Sequence, residues 1–496
     1  MVSALDNDDQ KKLEENDLDH ETNGYIKIKK FRFIMLIFFL IFASAGITTL
    51  VMAFGDDKAA NVAGVPQRKE FTKLFNTYDD LKQNYYEKID TNKLVNGAID
   101  GMVQALGDPY SVYMPPDEAS KFNQTISSSF EGIGAEVQEK NGYITIVSPI
   151  KGSPADKAGL KPNDKVLAVN GKSVHGMSAN DVVLLIRGKK GTSVTLSILS
   201  PGSTNPRDVK IQRDTIPVDT VYAKMLKNGV ADFQITTFST NTSKELVAAI
   251  NNMKKQGMKS MILDLRQNPG GLLDQAIAIA NLFVPEGKMI VQVEDRNGKR
   301  DQITADGGNK LHIPAAVLID DGSASASEIL SAALSESDDV PLIGEKSFGK
   351  GTVQTSTTFD DGSDLKFTTD KWLTPKGEWI HKKGIQPEYK VDLPAYANLP
   401  VIDPSEALKL YSISSDVKTA EEMLKALGYN PGHVDGYFDQ ATENAVIKFQ
   451  RDQKQKPTGV LEGQTTLLLM SKLQNLIANN DTQLNKAVEV LKNDQR

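Results

Sequence analysis

With 496 residues, 40% hydrophobic and 24% charged, the chain is long enough for about two to four domains with their own cores and too apolar for wholesale disorder. A formal net charge of −7 argues against a general nucleic-acid binder, which needs a basic face. The absence of cysteine excludes a thiol nucleophile, disulfides and thiolate metal sites, without assigning a compartment.

The first marked element is the run Phe33 to Phe54, which has no charged side chain. As a helix it would extend roughly 33 Å, enough to cross a bilayer. Lys27, Lys29, Lys30 and Arg32 precede it, and Asp56 and Asp57 follow. That bias leaves residues 1–32 in the cytoplasm and exports everything beyond 54. A buried core helix is seldom so long and uniformly apolar. A cleaved signal peptide is the closer rival, because Ala43-Ser44-Ala45 fits a small-x-small cleavage site. The run continues through Ile47, Leu50, Val51 and Met52, which favours an uncleaved anchor and a single-pass protein of the cell membrane with its bulk extracellular.

Residues 55–127 form a helical cap region, with Leu74, Tyr78, Leu81, Tyr85 and Tyr86 at helical spacing and a Gly107-Asp108-Pro109-Tyr110 turn. Residues 128–216 switch to short strands: Tyr143 to Val147, then Lys165 to Val169 closed by Asn170-Gly171, then Val194, Leu196 and Ile198 alternating with polar residues. Ser178 is placed to cap a helix holding Val182, Val183, Leu185 and Ile186. Residues 217–392 repeat strand–turn–helix units, with Met261 to Leu265 and Ala315 to Ile319 as buried strands of a mostly parallel sheet. Three prolines make 393–404 a linker, 405–473 is a small helical unit, and 474–496 is a charged helical tail. The predicted fold class is α/β and α+β multidomain.

None of the five histidines, His20, His175, His312, His381 and His433, has metal-ligand spacing, and no HExxH occurs. Counting does not remove a Ser-His-Asp triad, whose members meet in space, but no G-x-S-x-G elbow supports one. Ser323-Ala324-Ser325-Ala326-Ser327-Glu328 stands between a buried strand and a helix. Backbone N–H groups are unpaired there, at the positive end of the helix dipole, so an oxyanion can be stabilised. An ordinary serine cap explains the same residues. Lys350 lies between glycines in Phe348 to Gln354, open to approach by another side chain, and is equally compatible with a solvated turn. The P-loop order is absent.

Asp264 to Gly271, Ser323 to Glu328 and Gly349 to Gln354, in that order, resemble the carboxy-terminal processing proteases, the PDZ-containing Ser/Lys-dyad peptidases of family S41. The resemblance implies a serine endopeptidase cutting exported or membrane-attached proteins near their C-termini or in exposed loops. It implies Ser325 as nucleophile, Lys350 as general base, Gln354 as the residue orienting that lysine, and N–H groups of Ala326 and the Gly270-Gly271 turn, Gly271 preferred, as oxyanion hole. No cofactor is implied. The physical demand falls on Lys350. A free lysine of pKa about 10.4 is almost wholly protonated at neutral pH, and lowering it to about 7 requires roughly 4.6 kcal/mol of selective destabilisation of the ammonium. Burial can supply that, provided no opposite charge sits beside it.

Phe130-Glu131-Gly132-Ile133-Gly134 resembles the carboxylate-binding loop of a PDZ domain, which implies recognition of substrates with free C-termini by strand addition. Arg187 ends the groove helix; it either couples peptide binding to activation or only compensates the helix terminus. Leu424 to Tyr429, Val434 to Phe438, and Ala445, Val446, Phe449 and Gln450 resemble a peptidoglycan-binding domain, and the whole arrangement resembles the Gram-positive type of these proteases. Sugar binding and a structural or homodimer-forming role are both open. The rival to a protease is a non-catalytic cell-surface scaffold of PDZ and wall-binding units.

Overall fold

The computed structural model describes residues 68–140, 142–308 and 310–493. The expected cytoplasmic segment and the anchor at 33–54 lie outside these residues, and among the described residues no helix is long and apolar enough to cross a membrane. The chain divides into two units, Met1–Leu94 and Val95–Arg496. In the first, α1 (Thr72–Asn84) carries Leu74, Tyr78 and Leu81 but buries none of them, and Tyr85 and Tyr86, expected at the same helical spacing, lie beyond its end, where Tyr85 is already extended. Next along the chain come α2 (Thr91–Gln104), β1 (Val112–Met114) and α3 (Pro116–Ile126), whose first residue is a proline where no N–H is needed.

Strand alternation builds the following domain. Its sheet takes the order β3-β4-β5-β7-β8 from β3 (Ala135–Lys140), β4 (Tyr143–Pro149), β5 (Lys165–Val169), β7 (Ser193–Leu199) and β8 (Arg207–Gln212), with the short β6 (Lys172–Ser173) beside β5. A separate pair joins β2 (Ser129–Gly132) to β9 (Asp214–Pro217). Val194, Leu196 and Ile198 are fully buried, as their spacing predicts, beside Ile144, Ile146 and Val166. The turn helix α4 (Pro154–Lys157) and the groove helix α5 (Ala179–Ile186) complete the layer; Ser178 caps α5 by accepting the Asp181 N–H at 3.2 Å.

The third domain rests on a six-stranded sheet ordered β10-β11-β12-β15-β16-β19. Its strands are β10 (Val221–Met225), β11 (Val230–Ile235), β12 (Ser260–Asp264), β15 (Ala315–Ile319), β16 (Leu342–Gly344) and β19 (Tyr389–Lys390), all parallel to their neighbours except β10. Successive side chains point to opposite faces, so unbroken apolar runs such as Ala315 to Ile319 require cover on both. On one face Phe233, Leu263 and Val317 pack with Leu246 of α6 (Thr242–Lys255), Ile279 of α7 (Leu273–Ala280) and Leu330 of α8 (Ala326–Asp338). On the other, Val230, Ile262, Ala316, Leu318 and Ile343 pack with Ala487 and Leu491. Those last two belong to the segment expected to be a tail.

A second, antiparallel sheet comes from β13 (Met289–Asp295), β14 (Arg300–Thr304) and β18 (Asp364–Leu373), with β1 on its edge and β17 (Thr352–Thr358) paired to β18. The sequence does not announce β17 and β18, because neither alternates cleanly between buried and exposed. Beyond it, the 393–404 segment is more than a linker: Ile402 is buried in the core of α9 (Ser415–Ala426), α10 (Gln440–Asp452) and α11 (Gly463–Asn479), with Tyr396 and Leu399 against it. The chain then returns as α12 (Thr482–Asn493) to the first sheet. Arg266 holds its start through Asp481 at 2.8 Å and Gln483 at 3.0 Å, and Gln483 donates to the Val391 carbonyl at 2.9 Å.

Candidate active site

The turn that leaves β12 is built by side chains that replace sheet hydrogen bonds. Asn268, fully buried, donates to the Ile235 carbonyl at 2.7 Å and accepts the Gly270 N–H at 2.9 Å. Its own carbonyl accepts from the Ala324 N–H at 3.0 Å and the Ser327 hydroxyl at 2.9 Å. The Asp264–Gly271 motif is thereby stitched to the Ser323–Glu328 motif. Glycine is required at the seam: a Cβ on Gly270 would stand 2.9 Å from the Ser325 Cβ, and one on Gly271 would stand 2.1 Å from the Phe238 carbonyl oxygen. With the Gly270 N–H engaged by Asn268, the N–H groups of Gly271 and Ala326 are the ones that make no hydrogen bond among the described residues.

Ser325 begins α8 with φ 54° and ψ −112°, a left-handed conformation that is costly for serine and persists only where its surroundings impose it. Glu328 supplies much of that constraint. Fully buried, its carboxylate accepts four hydrogen bonds: from the N–H groups of Ser325 and Lys350 at 2.8 Å each on Oε2, and on Oε1 from the Gly349 N–H at 2.7 Å and the Ser347 hydroxyl. Lys350 is fixed from its other side as well, where the buried Trp372 donates Nε1–H to its carbonyl at 2.8 Å. One carboxylate thus connects the serine turn to the lysine loop. The sequence places Glu328 in a motif but assigns it no task.

Ser325, Ala326, Gly270, Gly271, Lys350 and Gln354 all line one cavity of about 820 Å³. Its other walls are mainly apolar and include Phe122, Phe238, Leu272, Ile329 and Trp372. Burial, the largest influence, pushes Lys350 below the ordinary lysine range, and the neighbouring Lys366 acts in the same sense. The expectation of no opposite charge nearby is not met: Asp108 and Glu328 both pull Lys350 upward, though they do not prevail. The Lys350 Nζ lies 5.0 Å from the centre of the Tyr110 ring.

Gln354 does not hydrogen-bond Lys350 among the described residues. Its Nε2 donates to the hydroxyls of Thr352 at 3.0 Å and Thr368 at 3.2 Å, and its Oε1 accepts nothing. Thr368 in turn donates to Asp108 at 2.6 Å, as does Ser111. The Gly107–Tyr110 turn, which the sequence marks only as a turn, therefore delivers Asp108 and Tyr110 to this site. Lys366 and Thr368 carry no sequence signal, because β18, which holds them, lacks the alternation that marks a strand. His381 also reaches the lysine loop, where its Nδ1 accepts the Gly351 N–H at 3.3 Å.

At the other expected site, Ile133 and Gly134 are anchored by their carbonyls, which accept from the Ala155 N–H at 2.8 Å and the Ile150 N–H at 2.9 Å. Glu131 and Gly132 lie on β2, opposite Thr215 and Asp214. The Arg187 guanidinium lies 4.8 Å from the Phe130 ring centre, joining the end of the groove helix to the strand that enters the loop.

Four family profiles match stretches of the chain. The family profile described as Peptidase family S41 matches residues 229–391, a PDZ domain profile 145–200, a peptidoglycan binding domain profile 414–469, and the Activating protease CtpB N-terminal domain 47–118. The chain is 54% identical over 423 residues to the carboxy-terminal processing protease CtpA of Bacillus subtilis, covering 85% of this chain and 90% of that protein. It is 40% identical over 465 residues to CtpB of the same organism, covering 91% and 97%. Among solved structures, the photosystem II D1 C-terminal processing protease is similar at 30% identity, covering 65% of this chain and 87% of the other, with a TM-score of 0.39. None of these similarities favours the non-catalytic scaffold.

Glu328→Gln keeps the shape of the side chain but turns an NH₂ group toward N–H donors. It should cost about 2–4 kcal/mol, as broken buried hydrogen-bond networks do. Urea denaturation followed by tryptophan fluorescence reads this locally, because the chain has two tryptophans and both, Trp372 and Trp379, donate to the lysine loop. A variant within about 0.5 kcal/mol of wild type would show that the four contacts do not act together.

Proposed function

We propose, for a chain that belongs to the carboxy-terminal processing proteases of peptidase family S41 and is thereby a serine peptidase, that Ser325 is the nucleophile and Lys350 its general base. The observation that carries the assignment is the shared cavity of Ser325, Lys350, Gly271 and Ala326. Neutral Lys350 takes the Ser325 hydroxyl proton as the oxygen attacks the peptide carbonyl. The resulting oxyanion accepts from the Gly271 and Ala326 N–H groups, aided by the positive end of α8. The lysine ammonium passes its proton to the leaving amine, and water, deprotonated by the same lysine, releases the acyl group. Gln354 would orient Lys350 by accepting from its Nζ on the open Oε1, a contact that this structure does not make.

Ser325→Ala should remove hydrolysis of an unstructured protein, and Lys350→Arg should match Lys350→Ala, since arginine does not deprotonate in proteins. Only the neutral base works, so kcat/KM rises with pH through the Lys350 pKa. Burial and Lys366 hold that midpoint below the ordinary lysine value against Asp108, Glu328 and the Tyr110 ring. Wild-type turnover by Lys350→Arg would move the base elsewhere, with His381 the first candidate to test.

The PDZ domain, in this proposal, recognises substrate tails at Glu131–Gly134 and gates the protease, with Arg187 as sensor. The motive is the contact of Arg187 with Phe130, one residue before Glu131. A tail peptide shifts the enzyme only if it binds the active arrangement more tightly. Arg187→Ala should therefore lower both the cleavage of a tailed substrate and the stimulation by tail peptides. Equal rates and equal stimulation in variant and wild type would leave Arg187 as an ordinary helix-end charge.

The uncharged run Phe33–Phe54 and its flanking charges support an anchor that holds the enzyme in the cell membrane with its catalytic part outside. The C-terminal domain would then face the peptidoglycan. Release of full-length protein from membranes by alkaline carbonate would sink the anchor.

A further inference from the structure

The cavity contains a second lysine that the proposed reaction does not use. Lys366 lies on β18, opposite Ser356 of β17 and Val112 of β1, so its backbone is held between two strands. Its side chain lines the same cavity as Ser325 and Lys350, with Nζ 4.7 Å from the centre of the Phe122 ring.

No carboxylate forms an ion pair with Lys366 among the described residues. Asp364, the acid whose charge acts on it, accepts instead from the hydroxyls of Ser356 and Thr358. A half-buried ammonium with an aromatic face and no carboxylate in ion-pair contact is only partly compensated, because a cation–π contact replaces little of its lost hydration. Burial accordingly pushes Lys366 below the ordinary lysine range. Hydrolysis at Ser325 requires one lysine, so the second is free to meet whatever lies along this wall of the cavity.

We propose that Lys366 is an anion subsite of the cleft, which pairs with a carboxylate of the bound polypeptide and makes the protease prefer chains carrying one beside the cut. The proposal rests on Ser325 and Lys350 being the reacting pair. The carboxylate has two sources, the free chain end or an Asp or Glu side chain, and both present the same group.

The test uses the full chain and two matched peptide pairs around one scissile bond. One pair differs in a terminal carboxylate against a carboxamide, and the other, amidated in both members, in Glu against Gln. Wild type should favour the acid in at least one pair by a kcat/KM ratio on the order of tenfold, the pair identifying the source. Lys366→Met should bring that ratio to about one and Lys366→Glu should invert it. Removing Lys366 also removes a charge that lowers Lys350, but a ratio of two substrates in one enzyme cancels this common effect. Added salt should shrink the wild-type ratio, a readout that needs no variant. Ratios of one in both wild-type pairs would overturn the proposal, and so would a preference that is unmoved by salt or survives in Lys366→Met, as a preference set by the PDZ loop would. Failure of the catalytic assignment looks different: Ser325→Ala would then still cut all four peptides.

Discussion

A buried carboxylate is costly unless donors surround it, and Glu328 has four of them. Because two of those donors are the backbone N–H groups of Ser325 and Lys350, satisfying the carboxylate fixes the serine turn relative to the lysine loop. The strained backbone of Ser325 is tolerated on the same terms, since relaxing it would strip a donor from a buried anion. Side-chain chemistry at the site therefore depends on a group that need touch no substrate.

That solution has an electrostatic cost. A carboxylate so close to Lys350 favours the ammonium, as does Asp108, while the reaction needs the amine. Burial and the charge of Lys366 outweigh both. The site holds its geometry with negative charge and recovers its reactivity by dehydration, two demands that one apolar cavity lined by Phe122, Phe238 and Trp372 can meet together.

Much of this was legible because close backbone approach leaves a signature. The Asn-Pro-Gly-Gly turn and the glycines around Lys350 are places where neighbouring chain segments leave no room for a Cβ, and the buried strands Met261–Leu265 and Ala315–Ile319 are almost uniformly apolar. Less could be read where polar side chains work across long sequence distances. Thr368 and Asp108 meet from segments that share no periodicity, and the polar, half-exposed β17 and β18 look like loop. Gln354 was recognisable by family resemblance, but its partners here are threonine hydroxyls that no local pattern reveals.

The cover of the first sheet by α12 changes how the domains nest. The sheet ends at β19, and the helix that seals its second face follows only after the whole α9–α11 unit. The peptidoglycan-binding domain is topologically an insertion between a strand and its own lid. Cutting the chain after residue 404 would strip Ala487 and Leu491 from Ile262, Leu318 and Ile343, and leave Arg266 without Asp481. Loss of activity in such a truncation would report an uncovered hydrophobic sheet, not a need for the cell wall. Separating the two requires a short bridge in place of residues 405–479 that leaves Thr482–Asn493 in position.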